Sequence, residues 1–255
     1  MFKQIKSKLL LIIVLIILVQ FVIFPETKKF NEQKLQFGFG FMVSTCNLLN
    51  LIESAKIYDA IKNDTDYNFP GVDEEEQEAL LKLNGGMKRA ILVANILGGM
   101  EYGAQFRILY KIMIFETDII LLPFDGSYNG RLDLLLTPMI GVRAPFYIMP
   151  YFISGLALTF SFYPSEFTSI EEWKGNWAAT TNFAFRPGII TRLGLDLKIE
   201  GFSIGAYYQW TVKDFQEFGS WYWHIMNAGY SSSSAVGRIL AAQSRFGISI
   251  CLYPF

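Results

Sequence analysis

The segment Arg131–Phe162 reads RLDLLLTPMIGVRAPFYIMPYFISGLALTFSF, and its period decides the fold. Taken two residues at a time, Leu132, Leu134, Leu136, Pro138, Ile140 and Val142 fall on one side. Arg131, Asp133, Leu135, Thr137, Met139, Gly141 and Arg143 fall on the other. Beyond Ala144-Pro145 the alternation resumes, with Ile148, Pro150, Phe152, Leu156, Leu158, Phe160 and Phe162 against Met149, Tyr151, Gly155, Ala157, Thr159 and Ser161. Successive side chains of a strand point to opposite faces, so each run has one apolar face and one small or polar face. The short Pro-containing joint makes the two runs a hairpin. Each is about as long as a tilted membrane-crossing strand, roughly 9–11 residues. A hairpin from a soluble sandwich shares this period with its apolar side turned inward, so recurrence along the chain must separate the two.

The pattern recurs on both sides of this hairpin. Leu35, Phe37, Phe39, Phe41 and Val43 alternate with Gln36, Gly38, Gly40, Met42 and Ser44 in a first strand. An insertion over residues 46–89 follows. Leu48, Leu49, Ile52, Ala55 and Ile61 stand at helical spacing within Asn47–Lys62, and Asn63–Gly71 is a loop. The acids Asp73–Glu76 mark the start of a second short helix that runs to Leu83 and stops at Gly85-Gly86. Alternation returns at Ala94 and runs to Ile108, with Gly99, Glu101, Gly103, Gln105 and Arg107 on the inner parity. The turn near Leu109–Lys111 carries no Gly or Pro. A third strand sets Met113, Phe115, Ile119 and Leu121 against Glu116, Asp118 and Ile120, and Asp125–Gly130 is a dense turn signal. After the hairpin comes a polar loop, Pro164–Thr181, with Trp173 and Trp177. Phe183–Ile199 and Phe202–Lys213 are two more strands about the turn Glu200-Gly201. A long loop, Asp214–Gln243, leads to a last strand, Ser244–Phe255. The expectation is therefore all-β: an eight-stranded antiparallel up-and-down transmembrane barrel with a partly helical insertion between its first two strands.

Composition agrees. Of 255 residues, 52% are hydrophobic, 16% aromatic and only 18% charged, with a net charge of −1; the mean hydropathy is +0.29. That excludes the basic surplus of a nucleic-acid binder. A polytopic helical protein is the rival, with Met139–Tyr163 as one span. That window holds Arg143, Pro145 and Pro150 and follows period 2, and an arginine at mid-membrane costs several kcal/mol, of the order of 3. The barrel accommodates the same residues without that cost. Residues 1–24 have the form of a secretory signal, cut between about Gln20 and Lys28, with a retained membrane anchor as the alternative: Lys3, Lys6 and Lys8, then an unbroken apolar run Leu9–Val19, Gln20 and four further apolar residues. The remainder, 25–255, forms the barrel in an exported chain. Cys46 and Cys251 fall near opposite ends of their strands, beyond the roughly 7 Å Cα separation a disulfide tolerates, so two unpaired thiols are expected.

The charged residues within strands share the inner parity. Glu101, Arg107, Glu116, Asp118, Asp133, Arg186, Arg192 and Asp196 form the expected lumen network, with Arg131, Arg143 and Lys198 on the same side. An eight-stranded barrel is wide enough only for its own side chains, so acids and bases paired inside would plug it. Buried pairs of this kind need hydrogen-bonded partners to offset desolvation, and the inner charges read as structural. The glycines at 38, 40, 99, 103, 155, 188, 194 and 205 either leave a cavity or make room for that network. With a single His and two distant Cys, no metal-ligand spacing is present, and no catalytic or cofactor-binding residues are expected.

The order of signal, eight alternating strands, long loops and terminal Phe255 resembles the small outer-membrane barrels of diderm bacteria, the OmpA-transmembrane-domain and OmpW-like group. Thr137–Arg143 and Pro150-Tyr151-Phe152 are similar to the strand–turn–strand found there. The resemblance implies an outer-membrane location, lipid contact and recognition of the last strand by the barrel-assembly machinery. It also implies, as an alternative to a structural or surface-interaction role, a narrow conduit for small solutes or hydrophobic ligands. Phe255 departs from the group: its parity is opposite to that of Ile248, Ile250 and Leu252, and Pro254 intervenes. His224–Gly229 is similar to the His-x-Ser-Asn stretch of the lipid A deacylase barrels (the PagL family), whose His and Ser would be base and nucleophile. Here Met226 holds the Ser position and no acid follows Glu217. Ser231–Ser234 offer a substitute hydroxyl for a second alternative, a lipid A-modifying enzyme, and a non-enzyme is expected.

Overall fold

The computed structural model describes residues 35–63, 78, 82–83, 85–122, 132–144, 147–162, 178–180, 183–199, 201–227 and 232–254. Strands β1 (Gln36–Ser44), β2 (Glu101–Tyr110), β3 (Met113–Leu121), β4 (Leu132–Arg143) and β5 (Ile148–Phe162) pair in succession, each antiparallel to the last. β5 pairs next with β7 (Phe183–Ile199), then come β8 (Phe202–Val212) and β9 (Ser244–Leu252). The pairing of β9 with β1, from Phe39↔Leu252 to Ser44↔Gly247, closes the ring. The result is an eight-stranded closed antiparallel barrel with a helical insertion after its first strand. A ninth strand of three residues, β6 (Ala178–Thr180), lies against Phe183–Phe185 of β7, beyond the point where β8 ends opposite Ile189.

The strand side chains follow the expected parity. Along β7, Arg192, Gly194, Asp196 and Lys198 face in, while Leu193, Leu195, Leu197 and Ile199 face out. Along β3, Ile114, Glu116, Asp118 and Ile120 are buried and Phe115, Ile119 and Leu121 exposed. Short turns join β2 to β3, β4 to β5 and β7 to β8. The first of these turns on Lys111, whose φ of 51° lies in the left-handed region. A lysine there, where Gly or Asn is usual, is why no turn residue marks it.

The connections at the other end differ from the sequence reading in three places. The first helix is present as α1 (Leu48–Asn63), capped by Asn47 Oδ1, which accepts from the Asn50 N–H at 2.8 Å. Glu78 and Lys82 are helical and Leu83 lies in a bend, so a helix does stop before Gly85-Gly86. These glycines then open another, α2 (Gly85–Gly98), so residues 94–98 are helical and the second strand begins only at Glu101. The run Ala90–Leu97 is apolar but for Asn95 and fits either period, and pairing decides it: Glu101, opposite Ser44, is the first residue with a partner on β1. The insertion therefore extends past residue 89 to Met100. The third difference lies between β8 and β9: Asp214–Gln243 is no loop but two helices, α3 (Phe215–Asn227) and α4 (Ser232–Gln243), the latter running directly into β9. The last strand stops at Leu252, and Pro254 lies past it. The signal segment 1–24, the acids Asp73–Glu76, the turn Asp125–Gly130, Arg131, Trp173, Trp177 and Phe255 lie outside the described residues.

Candidate functional site

The centre of the lumen is an ion-pair lattice carried by β2, β3 and β7. Arg107 Nε pairs with Glu116 Oε2 at 2.5 Å, and Arg107 Nη1 pairs with Asp196. Arg192 Nη1 reaches the other oxygen of Glu116, and its Nη2 donates to Asp118 Oδ2 at 2.6 Å. Gln209 Oε1 of β8 accepts from both Arg192 Nη2 (2.6 Å) and Nε (3.2 Å), while its Nε2 donates to Thr211 Oγ1 at 2.9 Å. All five charged side chains are fully buried. Glu116 bridges the two guanidinium groups, so the lattice is continuous across the barrel from β2 to β7. Three of its polar atoms, Arg107 Nη2, Asp118 Oδ1 and Asp196 Oδ1, are buried without a hydrogen-bond partner, which takes back part of what the ion pairs contribute.

Three tyrosines support this lattice, each lying over a glycine directly across from it. Tyr151 is opposite Gly194 and Tyr207 opposite Gly247. In both cases a Cβ on the glycine would collide with the tyrosine ring. A Cβ on Gly38 would meet the Tyr253 ring and the Cys251 sulfur, both at 2.6 Å. Each ring also carries a cation. Arg107 stands 5.0 Å above Tyr151, Arg192 4.3 Å above Tyr207 and Lys198 4.2 Å above Tyr253. Gly205 makes room for the Asp196 carboxylate, and at Gly40, Gly155 and Gly188 a Cβ would strike a carbonyl of the next strand. Of the two explanations for these glycines, room for the network and close strand approach account for them.

The ends of the lumen are cationic. Toward the short turns, Lys198 pairs with Gln36, and Arg143 Nη1 contacts Met149 Sδ at 3.2 Å. At the helical end, Glu101 is fully buried and flanked by Lys213 Nζ (2.6 Å) and Arg245 Nε (3.2 Å). Arg245 Nη1 also donates to the carbonyls of Thr45 (2.9 Å) and Gly99 (3.1 Å), tying both ends of the insertion to β9. Above this group lies a cavity of about 300 Å³ lined by Asn47, Thr211, Lys213, Asp214, Phe218 and Gln243, among others. Its polar walls are already engaged: Asn47 caps α1, Asp214 caps α3 and Lys213 holds Glu101. Arg186 and Asp133 form a separate, part-exposed pair at 3.3 Å, with Arg186 also donating to Ser161 Oγ at 2.6 Å.

Of the eight inner charges read from parity, Arg107, Glu116, Asp118, Arg192 and Asp196 meet in one cluster, Glu101 sits apart at the mouth, and Arg186 and Asp133 make a third group. Sequence reasoning missed Gln209, Lys213, Arg245 and the tyrosine supports. Lys213 and Arg245 were open to the same parity argument, whereas the Tyr–Gly pairs need the register between strands. His224 lies in α3, and so does Met226. Positions two apart share a face on a strand but stand about 200° apart around a helix. Ser232–Ser234 open α4, and Ser231 lies outside the described residues. Among the described residues no group of three or more His, Cys, Asp or Glu side chains could hold a metal ion, and Cys46 and Cys251 are buried and unpaired. No protein-family model matches the chain, and neither a curated protein nor a solved structure matches it.

Proposed function

We propose that the chain is an integral outer-membrane β-barrel protein with a structural or surface-interaction role, its lumen plugged by its own side chains. One observation carries this reading: the molecule is polar inside and apolar outside. Among the described residues, no outward-facing position of the eight long strands is charged. Phe39, Phe41, Ile119, Leu156, Leu193, Ile248 and Leu252 stand more than half exposed around the ring. A monomeric soluble protein rarely exposes a continuous apolar patch beyond about 600 Å². In a bilayer the same belt is solvated by lipid, and closure of the sheet leaves none of the eight long strands as an open edge. No helix among the described residues is long and apolar enough to cross a membrane, so the strands are the elements that would do so.

In this reading the chain is exported by residues 1–24 and inserted through β9, whose Ile248, Ile250 and Leu252 face the lipid. The conduit alternative has less support, because the Arg107–Glu116–Arg192 lattice crosses the lumen from wall to wall. The lipid A-modifying alternative has the least, because Met226, which cannot attack an ester, holds the nucleophile position. The test is mobility on a denaturing gel with and without boiling, together with alkaline carbonate extraction of envelopes. A heat-modifiable band retained in the carbonate pellet is expected. A protein recovered in the aqueous phase as a soluble monomer overturns the membrane reading. A discrete conductance in planar bilayers overturns the plugged lumen alone.

A further inference from the structure

We infer that α3 is an interfacial helix whose exposed aromatic face lies in the headgroup–acyl boundary of the leaflet on the helical side of the barrel. The inference rests on the membrane reading above and adds a lipid contact outside the barrel wall.

Only Lys213 and Asp214 separate the last wall residue of β8 from the first residue of α3, so the helix starts within about 11 Å of the rim. Its direction is fixed at that point. Asp214 Oδ1 accepts from the Gln216 N–H at 2.8 Å, and the Asp214 carbonyl accepts from the Phe218 N–H at 3.0 Å. One side of α3 is anchored to the protein. Phe218 packs on Ala235 and Ile239 of α4, α4 runs unbroken into β9, and α3 also touches β7. Beside Phe218, and with the Tyr222 ring 6.5 Å from its own, Phe215, Tyr222 and Trp223 stand exposed by 49%, 43% and 67%.

The chemistry of that face selects its occupant. Five of the thirteen residues of α3 are aromatic and none is Lys or Arg. Trp and Tyr combine an apolar ring with one polar group, which suits the boundary between headgroups and chains. The wall just below is aromatic as well, with Tyr208 and Phe246 rings 5.5 Å apart. Exposed aromatic rings thus occur both on the wall and on the helix, and a lipid boundary covers both without a second protein. α2 provides the contrast: it exposes Met87, Val93 and Leu97 but no aromatic ring.

The test uses the full barrel folded in vesicles, with tryptophan as the depth probe. One variant keeps Trp223 and replaces Trp173, Trp177, Trp210 and Trp221 by Phe. A second also replaces Trp223 by Phe and carries Leu193→Trp in the middle of the wall. Lipids brominated near the glycerol should quench Trp223 about two-fold and deep bromines less, with the reverse order for the wall probe. If no brominated lipid quenches Trp223 and aqueous acrylamide does, while the wall probe still responds to bromine, the inference is overturned and a water- or protein-facing helix replaces it. If the wall probe is also unaffected by bromine, the membrane reading fails and takes the inference with it. Should these replacements prevent folding, a nitroxide on Trp223→Cys in the otherwise unchanged chain decides the matter. Relaxation by oxygen exceeding that by an aqueous nickel chelate supports interfacial placement, and the opposite order overturns it.

Discussion

The middle of the lumen and its helical mouth hold the same kinds of residue and use them differently. In the middle, two arginines and three carboxylates are completely desolvated, each guanidinium serves two acids, and each rests on a tyrosine ring. At the mouth one buried acid, Glu101, is held between Arg245 and a lysine whose side chain remains about a quarter exposed, at 27%. Charges that share partners in a dry core cannot be removed singly without stranding the others. Charges at a wet rim can turn to water. The middle is thus a fixed plug and the mouth a fastening for the helices above it.

The sharpest way to break that contrast is Arg192→Met, which keeps the bulk and removes the charge. It strips Asp118 of its guanidinium and leaves Glu116 to Arg107 alone. A loss of about 3–5 kcal/mol is expected in urea unfolding in detergent, enough to abolish the heat-modifiable band in much of the protein. A loss below about 1 kcal/mol would mean that the core is wet. Gly194→Ala acts on the same lattice from beneath. Its methyl collides with the Tyr151 ring, over which Arg107 stands. Overpacking of this kind costs up to about 3 kcal/mol. Glu101→Gln at the mouth should cost only about 1 kcal/mol, because Lys213 can reach water and Arg245 keeps the Thr45 and Gly99 carbonyls. Equal losses from Arg192→Met and Glu101→Gln would erase the distinction.

The two regions also differ in how far the sequence disclosed them. The wall was legible because one rule, period 2, was obeyed from Gln36 to Leu252, and every charge within the strands then fell on one side. The lattice was legible as a set of inward residues but not as a set of pairs. That Tyr151 rests on Gly194, or that Arg192 meets Glu116 and Asp118, depends on strand register across as many as 76 positions. The mouth was read less well because its helices lack that periodic signature. Ala90–Leu97 suited both periods, and Gly85-Gly86 marked a stop without showing that a new helix starts there. In Asp214–Gln243 the aromatic and serine runs concealed two helix starts, although Asp214 before Phe215 and the serines at 232–234 are ordinary N-terminal residues. Local signals there compete with one another, and tertiary packing against the rim decides between them.

The cysteines allow the same contrast to be tested without altering stability. Cys46 lies at the mouth, just past β1, and Cys251 lies in the wall opposite Gly40 and Ser203 with its sulfur beside Gly38. Both are buried, so neither should react in the static structure. Burial also pushes the Cys46 thiol above its ordinary value, with Arg245 opposing it, which further lowers the reactive thiolate fraction at neutral pH. Reagent can reach either sulfur only through opening. Opening the mouth requires α1 and the Arg245 contacts to release, a local event, whereas exposing Cys251 requires β9 to leave β1 or β8. Sub-global openings of the first kind are cheaper than loss of core strands. Maleimide labelling of the folded protein followed by mass spectrometry should therefore modify Cys46 at least about ten-fold faster than Cys251, a difference of roughly 1.4 kcal/mol in opening free energy. Glu101→Gln should widen the ratio by speeding Cys46 alone. Arg192→Met should narrow it, because the core strands then open as readily as the mouth. If both cysteines react at one rate in the unaltered chain, mouth and core open as a single unit and the distinction between fastening and plug is lost.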